Sequence, residues 1–217
     1  MINTIIFDLD GTLVDSLVDL ANTTNQILQE YNYPTYPVDK YRHFVGNGII
    51  KLIERVLPQG DKEKVTEFKK RFDQLYEQKC LENTKPYPGI KELINDLVNK
   101  GYNLAVVTNK PHDHAVKIVK TLFPDCFDYV FGNNPLQPKK PDPCLTNLAI
   151  NLLDVKKNQV VYIGDSDVDM QTALNTKVKS IGVAWGFRGR EELLVSGADA
   201  IANQASDIME IINDWNK

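Results

Sequence analysis

From Ile90 to the C-terminus, short β-branched runs alternate with stretches of helical periodicity, and that rhythm narrows the fold more than any other feature of the chain. Helical spacing over 90–100 stops at Gly101, a typical C-terminal signal, and Leu104-Ala105-Val106-Val107 follows as an apolar strand. Residues 114–122 read as a helix, Tyr129-Val130-Phe131 as a short strand and 144–153 as a helix. The strands 160–163 and 180–183 and the helices 170–175 and 205–213 complete the alternation. Strands that are apolar throughout and separated by helices imply a parallel, doubly wound α/β sheet covered on both faces. One more strand, Ile5-Ile6-Phe7, stands apart near the N-terminus.

Between that strand and Pro86 the pattern is helical. Leu17, Leu20, Ile27 and Leu28 recur at helical spacing, Pro34 and Pro37 interrupt it, and 49–57 and 62–81 read as further helices. No strand is expected in this stretch, and Lys85-Pro86-Tyr87-Pro88-Gly89 reads as a linker. The expected division is an α/β core domain from residues 1–14 and 86–217, with an inserted α-helical cap domain from 15–85.

A chain of 217 residues suits one domain plus such an insert. A net charge of -4 and a pI near 5.4 give no electrostatic reason to expect nucleic acid or an anionic membrane as partner. No stretch is long and apolar enough to cross a bilayer, and no basic, apolar leader precedes the first strand. Cys80, Cys126 and Cys144 are odd in number and lack a CxxC pattern, which argues against a disulfide framework or a zinc site. The expectation is a cytoplasmic protein with reduced thiols, a monomer or a homodimer.

The chemistry gathers where strands end. The first strand runs into Asp8-Leu9-Asp10-Gly11-Thr12. Residues two apart in extended backbone point the same way, so Asp8 and Asp10 set two negative charges side by side. A divalent cation relieves that cost. Ligands of a doubly wound sheet bind outside the C-terminal ends of its strands. Thr108-Asn109-Lys110 there supplies a hydroxyl and backbone N–H groups at what reads as a helix start, a cradle for an anion. Lys139-Lys140-Pro141-Asp142-Pro143 offers a cation, and Gly164-Asp165-Ser166-Asp167-Val168-Asp169 a second acidic cluster. Carboxylates, a metal, a hydroxyl and a lysine at one sheet edge describe a phosphoryl-transfer site.

These four segments, in this order, resemble the four motifs of the haloacid dehalogenase superfamily, and the resemblance spans essentially the whole chain, helical insertion included. It implies that Asp8 is a nucleophile forming an aspartyl-phosphate. Asp10 would protonate the leaving alkoxide and then take a proton from the attacking water. Mg²⁺ would be held by the Asp8 carboxylate, the Asp10 backbone carbonyl, Asp165 and waters. Asp169 would either reach the metal through water or orient Lys140. Thr108, the Asn109 backbone and Lys140 would grip the phosphoryl oxygens. An acid two residues after the nucleophile marks the phosphatases and phosphotransferases of the superfamily, not its dehalogenases.

Phe44-Val45-Gly46-Asn47-Gly48-Ile49, followed by Leu52-Ile53-Glu54-Arg55, is similar to phosphoglycolate phosphatases, as are 182–186 and 197–199. That likeness implies a small phosphorylated metabolite, 2-phosphoglycolate first, approached by Gly46, Asn47 and Gly48 at a helix start. Arg42 and Lys51 are the nearest cations for its carboxylate. Pyrophosphatases, broad sugar-phosphate or nucleotide phosphatases and β-phosphoglucomutase share every catalytic residue named. A phospho-aspartate signalling module shares the acids, the threonine and the lysine, but has no use for the helical insertion. His112 and His114 are expected to point apart, in surface or capping roles, and Asp15 and Ser16 to cap the first inserted helix. Asp167 is expected to face solvent or cap a helix, and Trp185, Gly186 and Phe187 to pack a loop.

Overall fold

Ile5, Ile6 and Phe7 are fully buried in the interior of a parallel sheet, in a computed structural model that describes residues 1–217. The strands are β1 (Thr4–Phe7), β2 (Val14–Asp15), β3 (Lys85–Pro86), β4 (Asn103–Pro111), β5 (Tyr129–Asn133), β6 (Val160–Gly164), β7 (Lys179–Val183) and β8 (Ala200–Ala202). Six of them form one sheet in the order β5-β4-β1-β6-β7-β8, and every pairing in it is parallel. Thr4 stands opposite both Asn103 and Val160, so β1 is clasped by β4 and β6 in matched register.

The pleat explains the two cores. Ile5, Phe7, Val106, Val161 and Ile163 face one side, against α5 (Ile90–Asn99), α6 (His112–Leu122) and α10 (Ala205–Trp215). Ile6, Ala105, Val107, Val160 and Tyr162 face the other, against α7 (Cys144–Leu152) and α8 (Asp167–Thr176). The chain is therefore a doubly wound α/β fold. Its strand order reverses at β1, which places a crevice at the C-terminal ends of β1, β4 and β6.

The helical insertion leaves the sheet after β1. It consists of α1 (Leu17–Glu30), the short α2 (Tyr41–Phe44), α3 (Ile49–Val56) and α4 (Val65–Lys79). Leu20, Ile27 and Leu28 of α1 and Phe68, Phe72 and Leu75 of α4 share one buried cluster, so the apolar stripes read from the sequence meet each other. Contrary to expectation, the segment is bounded by strands: β2 pairs antiparallel with β3, two residues each, too short to leave a periodic signal. Asp19 of α1 reinforces this crossing by accepting hydrogen bonds from the backbone N–H groups of Asn83 and Thr84 and the Thr84 hydroxyl.

Other expectations are corrected. The helix expected at 62–81 begins as a 3-10 turn over Gln59–Lys64, kinked at Asp61, and is α-helical only from Val65. A short helix, α9 (Arg190–Val195), and the edge strand β8 carried no clear pattern. Thr108-Asn109-Lys110 is not a helix start: β4 continues through Pro111, and α6 begins at His112. No helix is long and apolar enough to cross a membrane.

Candidate active site

Asp8 is the first residue beyond β1. Its N–H donates to the Ile163 carbonyl at 2.8 Å, which extends the sheet ladder by one bond and fixes the direction of the carboxylate. Lys140, in the loop after β5, brings its Nζ to 2.9 Å from Asp8 Oδ1 and 2.7 Å from Asp169 Oδ1. It also donates to the Tyr162 hydroxyl at 3.0 Å, and that hydroxyl in turn donates to the Val107 carbonyl at 2.8 Å. Burial alone would lower the Lys140 pKa; the Asp169 and Asp8 charges outweigh it and hold the ammonium well above its usual range.

Asp165 and Asp169 come from the end of β6 and the first turn of α8. Asp169 Oδ2 accepts from the N–H groups of Asp165 and Ser166, both at 3.1 Å, and from Ser166 Oγ at 2.7 Å, closing a capping box. With Oδ1 on Lys140, both Asp169 oxygens are engaged by protein donors. Asp165 Oδ2 accepts from Phe187 N–H at 2.7 Å. Phe187 therefore does more than pack a loop: it aims a carboxylate. Gly11 permits the whole approach, because a Cβ at that position, where φ is +85°, would strike the Asp165 carboxylate.

These acids fit a divalent cation. Asp8, Asp165 and Asp169 are buried, each with a carboxylate oxygen within 4.8 Å of the others. Lys140 is the one lysine paired within this trio. Asp8 Oδ1 is buried with no donor aligned on it, although Lys140 sits at ion-pair distance. Burial pushes the Asp8 pKa up to about 6 against the pull of Lys140. Burial, then the charges of Asp169 and Asp8, raise Asp165 well above the carboxylate range. A cation placed here would reverse both penalties.

Asp10 is a separate case. Its carboxylate stands outside the trio and takes Lys110 Nζ at 2.9 Å and 3.0 Å on its two oxygens. Lys110 also donates to the Tyr76 hydroxyl at 2.7 Å, and Ser16 Oγ donates to Asp10 Oδ1 at 2.5 Å. The two neighbouring charges expected from the sequence are thus relieved by a lysine apiece. Ser16 does not cap α1 with its side chain; Asp15 Oδ1 instead accepts from Leu17 N–H at 3.2 Å.

Asp8, Asp10, Thr108, Asn109 and Lys110 line one small cleft, partly open to solvent, with Gly46 and Gly48 across from them. Gly48 caps α3 at φ 85° and ψ 165°, a conformation that essentially only glycine adopts. The Asn109 amide donates to the Gly46 carbonyl at 3.3 Å and to the Lys140 carbonyl at 3.2 Å, tying insertion to core. Asn47 does not line the cleft, because its side chain accepts from Arg55 at 2.6 Å. Nor do Arg42 and Lys51: Arg42 pairs with Asp39 and donates to the Gly186 carbonyl, and Lys51 pairs with Glu54. His114 is also corrected. It is buried, lines the cleft edge-on to Tyr76, and burial lowers its pKa, whereas His112 is exposed. Asp167 is exposed, as expected.

Lys110, Tyr76 and His114 line the cleft without having been assigned to it from the sequence, and Ser16 reaches it only through its bond to Asp10. Lys110 was findable: with β4 continuing, it lies two residues from Thr108 and shares its direction.

The family model for haloacid dehalogenase-like hydrolases matches residues 5–183. The chain belongs to that family. Among curated relatives, the phosphoglycolate phosphatase of Vibrio parahaemolyticus is 32% identical, over 97% of this chain and 96% of its own. That of Psychrobacter arcticus is 33% identical, over 87% and 86%. A crystal structure from Lactobacillus delbrueckii subsp. bulgaricus, provisionally described as a phosphoglycolate phosphatase, superimposes with a TM-score of 0.92 at 31% identity, covering 97% of this chain and 98% of that one. These likenesses set the chain among the phosphatases of the family.

Proposed function

We propose that this protein is a Mg²⁺-dependent phosphatase that hydrolyses small phosphate monoesters through an aspartyl-phosphate on Asp8, with 2-phosphoglycolate the leading substrate. The observation that carries the reading is the Asp8 oxygen left without an aligned donor beside Lys140, Asp165 and Asp169. The names of the relatives support the choice of substrate.

In this reading an Asp8 oxygen attacks phosphorus, the ester oxygen departs, and it takes a proton from the Asp10 carboxyl. A water then attacks the phosphorus, loses its proton to Asp10, and the Asp8–phosphorus bond breaks to release phosphate. Lys140, held by Asp169 and Tyr162, keeps a fixed positive charge beside the nucleophile. Thr108 and Asn109 hold the phosphoryl oxygens. Mg²⁺, held by Asp8, Asp165 and the Asp10 carbonyl, would act as a Lewis acid on those oxygens. Residues 15–85 serve as the cap that closes over the leaving group, and Gly46 and Gly48 meet it. Three free cysteines accord with a cytoplasmic protein.

The test is phosphate release with and without Mg²⁺ across 2-phosphoglycolate, pyrophosphate, β-glucose 1-phosphate and nucleoside monophosphates. The expected result is Mg²⁺-dependent turnover with the highest kcat/KM on 2-phosphoglycolate. A sharp preference for another ester removes the substrate assignment and keeps the reaction. No release from any ester removes both.

A further inference from the structure

Two buried lysines serve this cleft, and the proposed mechanism uses one. Lys110 is the other. It is 5% exposed, lies near the end of β4 and touches Asp10 and both the hydroxyl and the ring of Tyr76. Its Nζ donates to both Asp10 oxygens and to Tyr76 Oη, and lies 4.7 Å from the centre of the Tyr76 ring. Tyr76 is on α4, in the helical insertion; Asp10 is in the loop after β1. One ammonium group therefore bridges the insertion and the core at the acid assigned to proton transfer. Burial by itself would lower the Lys110 pKa, and the Asp10 charge together with Tyr76 and the hydrogen bonds to both outweighs it.

We propose that Lys110 is the positioning residue of Asp10, and that Tyr76 completes the placement only when α4 is seated over the strand edge. This rests on the reading of Asp10 as the proton-transfer group. Three short contacts carry it. Ser16 and Lys110 both donate to Oδ1, whereas Oδ2 has Lys110 alone. Oδ1 is the anchored oxygen, and Oδ2 is the one left to exchange a proton with the leaving group or the water. Without Lys110, Asp10 is held by Ser16 alone and swings about that single bond. Without the Tyr76 hydroxyl, the lysine loses the contact that draws it toward the insertion.

Leaving groups distinguish this role from a merely structural one. The glycolate alkoxide of 2-phosphoglycolate needs a proton as it departs, whereas the acetate of acetyl phosphate does not. Because the later water step is common to both substrates, the experiment measures the first-turnover rate of glycolate or acetate release, and its half-saturating substrate concentration, in the wild type, Asp10→Asn, Lys110→Met and Tyr76→Phe, each shown folded by its melting curve. Asp10→Asn sets the reference, with a large loss on phosphoglycolate and a small one on acetyl phosphate. Lys110→Met is expected to follow the same pattern, losing about 100-fold in the first-turnover rate on phosphoglycolate and less than about 5-fold on acetyl phosphate, with the half-saturating concentration little changed. Tyr76→Phe, which keeps the ring, is expected to show the same bias at about 10-fold.

Equal losses on both substrates in Lys110→Met, beside a discriminating Asp10→Asn, overturn the positioning role and leave the proposed reaction standing. Equal losses in Asp10→Asn overturn the proton-transfer reading, and the positioning role with it. A Tyr76→Phe enzyme indistinguishable from wild type overturns the link to the insertion.

Discussion

The floor and the roof of the cleft are built on different principles. The floor comes from the ends of β1, β4 and β6, the loop after β5 and the first turn of α8. Its polar groups are buried and cross-linked, as in the chain from Asp8 through Lys140 to Asp169 and Ser166. The roof comes from α1, α3 and α4 and faces the floor mostly with apolar side chains: Leu20, Ile49, Leu52 and Phe72. Roof and core are joined by the Lys110–Tyr76 contact, by an exposed ion pair between Lys117 and Glu77, and by hydrogen bonds from Asn109 to the Gly46 carbonyl, Arg188 to the Val45 carbonyl and Lys139 to the Asn47 carbonyl. Each such bond is worth about 1 kcal/mol, while breaking a buried ion pair costs about 3–5 kcal/mol. A floor held by buried ion pairs and a roof held more by hydrogen bonds and an exposed ion pair suit chemistry on one side and substrate exchange on the other.

The sharpest way to break the comparison is at the proposed nucleophile. Asp8→Asn is expected to cut phosphate release by about 10⁴-fold or more. Because it removes a buried charge, its melting temperature should not fall. Substantial residual turnover would sink the assignment. Lys140→Met comes next. It leaves Asp8 and Asp169 buried without their shared cation, and urea denaturation should show a loss of about 3–5 kcal/mol. Adding Asp169→Asn should restore part of that loss; strict additivity would show that the pair is not coupled. The proposed metal would sit on the floor as well. Mg²⁺ at about 100 times its Kd should stabilise the fold by about 2.7 kcal/mol, read by thermal melting, and Asp165→Asn should remove the effect.

The floor was also the legible half. Asp8, Asp165 and Lys140 follow apolar strands or the loop after one, and a doubly wound sheet sends all such ends to the same edge. Lys110 was obscured because Thr108-Asn109-Lys110 resembles a helix start, whereas hydrogen bonding to β5 carries β4 on to Pro111. Ser16 carries the sequence signature of an N-cap, yet Asp10 takes its hydroxyl. Tyr76 falls on the apolar face of α4 with Phe68 and Phe72, but nothing local tells which strand that face will meet. Roof residues depend on how two separate segments dock, and that information is not carried in any one window of sequence.

Roof substitutions should act on binding more than on chemistry. Gly48→Ala forces an alanine into backbone geometry nearly reserved for glycine, at a cost of about 1–3 kcal/mol. The new Cβ would lie 3.4 Å from the Asn109 carbonyl, an ordinary contact, so the strain is in the backbone. KM should rise more than kcat falls; the reverse would mean that α3 takes part in the chemical step.

The smallest effect belongs to His114, at the joint itself. Burial, and then the Lys110 charge, lower its pKa, while Asp73, Glu77 and Asp113 pull it back up. Folding therefore favours the neutral ring. The unfolded chain binds its proton near the ordinary histidine value of about 6.5, and the folded chain binds it only at lower pH. The resulting contribution to stability is complete above that value and is lost as pH falls toward the folded pKa. His114→Gln should make stability less steep in this acid range. Urea melts of both proteins at pH 7.5 and pH 5.5 test it, since the difference between them cancels the carboxylates of the floor. An identical slope in the two proteins would mean that His114 keeps its proton equilibrium on folding, and that the joint between roof and floor is open to water.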